Sequence, residues 1–456
     1  METGNQTNYV PNRKILLAIV SLTLSIFIWV GGLIGSLQRP SVANNLELRR
    51  LELITLGIPS ESRNIVRFFG GDNAEDNLRE ALEQSNTIRK RDLLLKILLQ
   101  VKELKSVKNN SLIPSLEIAT PLSEYKRYWN IKTPEYLNTS IKEELLMKLS
   151  PDPLLFKLNC EILRNHNCRQ LIPNRRAFLQ ISGITIPPIL ALLAGTILII
   201  RQVWLTWRQE NHSLPILIAP SLNIVDMILL ISGGFVTLGE TASSILVIPL
   251  SQITANFFQL TSPLKEAISI VLLYLGLSVM PLAILILTLR PNRPAPPEGF
   301  LQLHWWPLKS TIFQAIISVL SVCPLVVALE QLSKFIISTP SGSNPLMTLL
   351  LNSHNSLALA LFAFPAVILA PLFEELIFRG VLLPVLGRKL GPGWGIIFSA
   401  LIFGIAHLSL GELAPLTALG LGLGWLRVTS GRLAPCILMH AFWNSFTVIN
   451  LLLLGS

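Results

Sequence analysis

The chain has 456 residues, of which 51% are hydrophobic and only 14% are charged, and its mean hydropathy is +0.55. This composition excludes an ordinary soluble protein and indicates one that crosses a membrane several times. The formal net charge of +10 would suggest nucleic acid as a partner of a soluble domain. In a membrane protein, basic residues gather in loops on the cytoplasmic side, so we infer no nucleic-acid function.

The first segment long enough to cross a bilayer covers residues 15–37 and follows Arg13 and Lys14. A membrane-spanning helix needs about 20 mostly apolar residues. The apolar run is long for a cleaved signal peptide and lacks a clean cleavage site of small residues. We therefore predict that residues 1–37 are an uncleaved membrane anchor.

Residues 38–173 differ in character, because they hold 17 of the 27 acidic residues and 21 of the 37 basic ones. Apolar positions between residues 76 and 107 recur at helical spacing. We predict a water-exposed, mainly helical domain with a docking or regulatory role, which could bind a protein partner. Cys160 and Cys168 lie near its end, and they can form a disulfide only if the domain faces an oxidising compartment. The sequence leaves that pairing open.

Further apolar segments follow this domain, and together with the first they predict about eight to ten crossings. Residues 174–340 would contribute membrane helices of unknown role. Cys323 and Cys436 lie in apolar segments and are interpreted as packing residues. The predicted fold is an all-α, polytopic transmembrane bundle with a helical soluble insertion. The predicted segments are 178–200, 225–249, 265–289, 311–338, 356–371, 373–387, 394–410, 413–426 and 433–453.

Short basic clusters mark candidate cytoplasmic loops. They cannot all lie on one side under a simple count of crossings. If residues 373–387 form a full span, counting crossings from the N-terminal half and from the C-terminal half assigns the basic clusters to different sides of the membrane. A kinked continuation of the preceding helix past Pro371 removes this disagreement. Both alternatives stay open. The clusters are Arg201 with Arg208, Arg290 with Arg293, Arg388 with Lys389, and Arg427 with Arg432.

The stretch APLFEELIFRGVLLP, residues 370–384, places Glu374, Glu375 and Arg379 in an apolar segment. Charged groups within membrane spans are costly and tend to mark functional sites. The alternative is a helix end in the headgroup region with an ordinary surface salt bridge.

Symmetry about a turn favours the functional interpretation. The sequence GRKLGPG, residues 387–393, should close a helix hairpin. Glu374 and His407 lie 16 and 17 residues from its centre near residue 390, so antiparallel helices would bring them to the same depth.

A second histidine lies near the C-terminal end of the sequence. His440 and Asn444 are four residues apart, so they share one face of an apolar helix. Asn444 could hold the imidazole or donate to a developing oxyanion. The alternative is a pair of interhelical hydrogen bonds that only hold the bundle together.

These residues resemble the three motifs of the CPBP family of intramembrane proteases, which includes the type II CAAX prenyl endopeptidases and bacteriocin-processing relatives. EELIFR matches EExxxR, FGIAH (Phe403 and His407) matches FxxxH, and HAFWN (His440 and Asn444) matches HxxxN. The motifs occur in the family's order within 71 residues. The resemblance covers roughly residues 350–453 and implies a protease core within 341–456.

The resemblance also implies roles for these residues. Glu374 and His407 would activate a water molecule, and His440 with Asn444 would stabilise the oxyanion. Glu375, Arg379 and Phe403 would support the site. A general base and preorganised oxyanion donors are most effective where water is scarce.

Metal dependence stays open at this stage. Glutamate and histidine can bind zinc, in which case Glu374, His407 and His440 would be the ligands. The sequence has no HExxH helix, so we favour direct activation of water by Glu374 and assign no required cofactor.

The substrate implied by the resemblance is a membrane-associated or lipidated peptide or protein, and the enzyme would be a multi-pass protein of the cell membrane. Two other classes remain. A non-catalytic scaffold or bacteriocin-immunity protein would retain the fold, and a proton-coupled transporter would use Glu374 and His407 as a proton relay. The absence of paired, broken spans in two corresponding halves argues against the transporter. Gly420 and Gly424 are interpreted as sites of close helix packing.

Overall fold

The structure is a computed structural model of the chain. It describes residues 11–38, 42–58, 63–70, 73–84, 90–106, 152–163, 174–208, 215–220, 222–289, 299–336 and 345–455. Every regular element in these ranges is a helix, which confirms the all-α prediction. The chain divides into two compact units, one of Met1–Val42 with Pro188–Ser456 and one of Ala43–Pro187.

The Ala43–Pro187 unit has a core of leucines from four amphipathic helices. The apolar face of each helix is buried against the others, as helical spacing of apolar residues predicts. Its core leucines include Leu48, Leu51, Leu78, Leu82, Leu95, Leu98 and Leu158. Helices within this unit are Ala43–Gly57, Arg63–Gly70, Ala74–Gln84, Lys90–Ser106 and Pro153–Leu163.

The cysteines differ in their bonding state. Cys160 is disulfide-bonded. Cys168, its candidate partner in the sequence, lies outside the described residues. Cys323 and Cys436 are free, and Cys436 is fully buried in an apolar cluster.

Seven helices of the described residues are long and apolar enough to cross a membrane. They are α1 (Asn12–Ser36), α2 (Arg175–Trp207), α3 (Ile224–Phe257), α4 (Leu264–Leu289), α5 (Leu308–Ile336), α6 (Ser356–Leu390) and α9 (Ala434–Gly455). Between the last two lie the shorter apolar helix α7 (Pro392–Ala406) and the helix α8 (Leu410–Ser430). The short helix Pro345–Asn352 precedes α6.

The prediction of two separate segments at 356–371 and 373–387 is wrong, because α6 is one helix of 35 residues. It continues past Pro371, which is the second of the two alternatives that the sequence left open. Two short π-helical stretches, Pro365–Leu369 and Phe378–Leu382, interrupt its α-helical geometry. Carbonyl groups in these wider turns accept side-chain hydrogen bonds from α7, α8 and α9. The π-helical stretches therefore help to join α6 to its neighbours.

The predicted hairpin is present between α6 and α7. Gly391 ends α6 with a φ of +88°, a conformation that glycine adopts without steric cost. The two helices then run antiparallel and in contact. This arrangement sets the depth of the residues at the far end of α7.

Close packing of α7 and α8 depends on Gly420. A Cβ at this position would lie 3.0 Å from the Ala400 backbone, which cannot move aside easily. We expect Gly420→Val to lower the free energy of unfolding by about 1–3 kcal/mol through overpacking. Thermal unfolding in nanodiscs would measure the loss. Gly393→Ala is the control, because nothing lies within 4 Å of its added Cβ. Equal stability of the two variants would contradict the packing role.

Two of the basic clusters lie at the same end of the membrane unit. Arg388 donates to the carbonyl of Leu222 at 2.9 Å, and Arg432 donates to that of Trp306 at 3.2 Å. Arg208 follows the last residue of α2 and precedes, in the sequence, the segment around Leu222 that Arg388 contacts. The cluster at 290–293 lies outside the described residues. The single continuous α6 is the alternative under which the sequence predicts no conflict over sidedness.

We expect this basic end to face the cytoplasm, since basic loops remain on that side. The test uses the two ends of α6, which are separated by about 50 Å at 1.5 Å per residue. An impermeant thiol reagent should label Lys389→Cys only from the cytoplasmic side and Ser356→Cys, at the start of α6, only from the other side. The opposite labelling pattern would show that the basic end faces away from the cytoplasm and would contradict the prediction.

Candidate active site

Two adjacent glutamates lie in the α-helical part of α6 between its two π-helical stretches. Glu374 is 6% exposed and Glu375 is fully buried. Charges placed so deeply need partners or a function. The structure gives the two carboxylates different surroundings.

One carboxylate oxygen of Glu374 accepts a hydrogen bond and the other has no hydrogen-bond partner among the described residues. Its Oε1 accepts a hydrogen bond of 2.9 Å from the hydroxyl of Tyr274 on α4. Its Oε2 is buried and has no hydrogen-bond partner within the described part of the chain. This free oxygen lies 3.9 Å from Nε2 of His407. The separation is too long for a direct hydrogen bond, and both atoms can contact one small molecule such as water.

The ring of His407 is oriented by its own helix. It lies directly after α7, and its Nδ1 is 2.8 Å from the carbonyl of Phe403. Because a carbonyl only accepts, Nδ1 carries the proton of the neutral ring and Nε2 presents its lone pair. Leu408 follows with a φ of +52°, and the N–H of Leu410 then donates to Ser36 of α1. This tight turn keeps the imidazole at the depth of Glu374, as the hairpin symmetry predicts.

Glu375 forms a buried network with Arg379 and His440. Its Oε1 accepts hydrogen bonds of 2.9 Å from Arg379 Nη1 and from His440 Nδ1. The guanidinium also donates to the carbonyl of Gly420 at 3.2 Å. Glu375 and Arg379 are fully buried and His440 is 3% exposed. The network therefore links α6, α8 and α9 at one point.

Phe403 packs at the centre of these groups. Its ring centroid lies 4.8 Å from that of His407 and 5.7 Å from that of His440. The guanidinium carbon of Arg379 lies 4.4 Å from the same centroid, which is a cation–π distance. The Phe403 ring thus contacts both His407 and the Glu375 network.

Asn444 already makes an interhelical contact. Its Nδ2 donates to the carbonyl of Ala366, in the first π-helical stretch of α6, at 2.7 Å. This is the bundle-joining bond that the sequence left as an alternative. An amide nitrogen carries two protons, so a second donor remains for another acceptor.

Tyr274 was missed by the sequence reasoning. Four of the five tyrosines precede residue 174, so Tyr274 is the one phenol in the apolar helices that follow. A tyrosine hydroxyl in such surroundings usually finds a hydrogen-bond partner, which is a signal that could have found it. Arg427 was likewise overlooked as an internal group. It is fully buried on α8 and donates to Gln302 and to the carbonyl of Arg379.

The three side chains that would bind zinc if the site used it, Glu374, His407 and His440, do not converge in the structure. Among the described residues, no three His, Cys, Asp or Glu side chains are placed to hold a metal ion. Nδ1 of His440 is directed at Glu375, while Glu374 and His407 face each other. Glu374 and His407 are thus placed to share one small ligand such as a water molecule.

Comparisons with known proteins agree with the motif resemblance. Residues 356–446 match the family model described as "Type II CAAX prenyl endopeptidase Rce1-like". Residues 43–179 match a domain of unknown function, DUF8675. The chain is 33% identical over 92 residues to "Putative membrane peptidase YdiL" of Bacillus subtilis (strain 168), a match that spans 20% of this chain and 38% of that protein. No solved structure matches. The likeness to the CPBP family is thereby confirmed for the C-terminal region.

Proposed function

We propose that this multi-pass membrane protein, with its CPBP-type C-terminal region, is an intramembrane endopeptidase that hydrolyses peptide bonds by direct activation of water. The observation that carries the proposal is the free Oε2 of Glu374 beside Nε2 of His407, 3.9 Å away among the membrane-spanning helices. A carboxylate with one unused oxygen next to a lone-pair nitrogen can hold and deprotonate one water.

The reaction would proceed in two steps. Glu374 takes a proton from the water, while His407 Nε2 holds the water's other hydrogen and directs its oxygen at the scissile carbonyl carbon. A tetrahedral intermediate then forms with negative charge on the former carbonyl oxygen. As the C–N bond breaks, the proton on Glu374 passes to the leaving amine. The carboxylate is thereby regenerated, so protons balance without another reactant.

His440 and Asn444 would stabilise the oxyanion. With Nδ1–H donated to Glu375, the ring that also donates from Nε2 is the imidazolium, so Glu375, Arg379 and His440 would together carry one net positive charge, which the oxyanion would neutralise. The second N–H of Asn444 is a further donor one helical turn away. Fixed donors in a dry site are worth more than the same donors in water.

The substrate class follows from the surroundings of the site. Glu374 and Glu375 lie near the middle of a 35-residue membrane helix, so a substrate must enter from the bilayer or its surface. We propose a membrane-associated or lipidated peptide or protein. The family model that matches is described by its action on prenylated CAAX sequences, which makes a lipidated C-terminus the first substrate to try.

The test is cleavage of a library of membrane-anchored and lipidated peptides by the purified full chain in nanodiscs, with and without a chelator. We expect cleavage by the wild type, loss with Glu374→Ala, and no effect of the chelator. Cleavage that survives Glu374→Ala would reject the mechanism, and loss with the chelator would reject water activation without a metal. A biological effect retained by Glu374→Ala would identify a non-catalytic scaffold instead.

A further inference from the structure

The two adjacent glutamates are anchored by different parts of the chain. Glu375 is held by Arg379 and His440, both within the region that matches the family model. Within the described part of the chain, the Glu374 carboxylate accepts its one hydrogen bond from Tyr274, which is 100 residues away on α4 and outside that region. The orientation of Glu374 thus depends on a helix that the motifs do not include.

We propose that Tyr274 is a positioning residue of the active site, which turns the free oxygen of Glu374 toward His407. The inference rests on the proposed proteolytic function and deepens it. It also gives a role in the site to α4, a membrane helix that precedes the family region.

The physical reason is the softness of the last torsion of glutamate. Rotation of a carboxylate about its terminal bond has a broad minimum, so packing alone does not fix where its two oxygens point. A hydrogen bond of 2.9 Å to Oε1 fixes that rotation and leaves Oε2 directed at His407 Nε2. Without the hydroxyl, both oxygens would be unpartnered and either could turn toward another donor.

Tyr274 lies on a helix that is packed against its neighbours. It lies near the middle of α4, which packs against the π-helical stretches of α3 and α6 and against the first part of α6. Its backbone carbonyl accepts the hydroxyl of Ser278 one turn further along the helix. A rigid donor on a neighbouring helix is what a flexible carboxylate needs to stay in one productive orientation.

The experiment measures kcat and KM of Tyr274→Phe in the cleavage assay, beside the wild type and Glu374→Ala. The phenyl ring keeps the packing and loses only the hydroxyl. We expect kcat to fall about 10- to 100-fold with KM and the unfolding temperature unchanged, as for a misplaced catalytic group. Thr288→Val is the matched control, because its hydroxyl on the same helix donates to the carbonyl of Ile284 within that helix.

A second pair of variants separates positioning from a structural effect. In a Glu374→Asp background the shorter carboxylate no longer reaches the hydroxyl, so adding Tyr274→Phe should change kcat less than twofold. An equal kcat of Tyr274→Phe and the wild type would overturn the inference, as would a full further loss in the Glu374→Asp background. If the wild type cleaves nothing, the proposed function fails and the inference with it. If cleavage depends on Glu374 but has the same kcat in Tyr274→Phe as in the wild type, only the inference about Tyr274 is refuted and the proposed function stands.

Discussion

Glu374→Gln should lower kcat for peptide cleavage by about 10²- to 10⁴-fold, the usual contribution of a general base. Glutamine has nearly the same size, and its carbonyl oxygen can still accept the hydrogen bond from Tyr274. It cannot take a proton from water at the position of Oε2. The side chain is buried and the helix packing should not change, so the loss should appear in kcat and leave the unfolding temperature as it is.

The matched control for this substitution is Glu330→Gln on α5. That carboxylate is 43% exposed and pairs with Lys334 at 2.7 Å on the surface of its helix, away from the site. Cleavage kinetics should be unchanged. A Glu374→Gln enzyme with wild-type kcat would exclude Glu374 as the base.

His407→Ala should be about as damaging, because the two groups are proposed to act on one water. Residues that act as a unit are strongly non-additive. The double variant Glu374→Gln with His407→Ala should therefore cleave no more slowly than the worse of the two single variants. Additive losses would show that the residues act on different steps.

The sequence predicts the encounter of Glu374 and His407 because hairpin symmetry depends only on counting residues from a turn. It could not predict which glutamate contacts His440. That choice depends on the rotation of α6 about its axis, and the π-helical stretches Pro365–Leu369 and Phe378–Leu382 alter the rotation by widening single turns. Such stretches have no clear signal in the sequence, so the Glu375–His440 bond could only be seen in the structure.

Spacing also predicts the pair of Glu375 and Arg379, because residues four apart lie on one helix face. The contact from Tyr274 is of another kind. It joins residues 100 positions apart on helices with no common motif, and only the packing of α4 against α6 brings them together. The same limit applies to Arg427, whose partner is a carbonyl that the second π-helical stretch presents.

The buried ion pair supports the largest stability prediction. Arg379→Met should lower the free energy of unfolding by about 3–5 kcal/mol, because it removes the guanidinium that pairs with the fully buried carboxylate of Glu375. The comparison is Lys334→Met, which breaks the exposed pair with Glu330 and should cost no more than about 1 kcal/mol. Unfolding in nanodiscs, followed by denaturant or heat, measures both.

The double variant Glu375→Gln with Arg379→Met separates the two roles of the pair. With both charges gone, no ion is left buried alone, so much of the stability lost in Arg379→Met should return. Cleavage should not return, because a neutral amide stabilises an imidazolium at His440 less than a carboxylate does, and the oxyanion loses that donor. A double variant that regains both stability and kcat would show that Glu375 and Arg379 serve the fold alone. Recovery of stability without kcat would identify the pair as the support of His440.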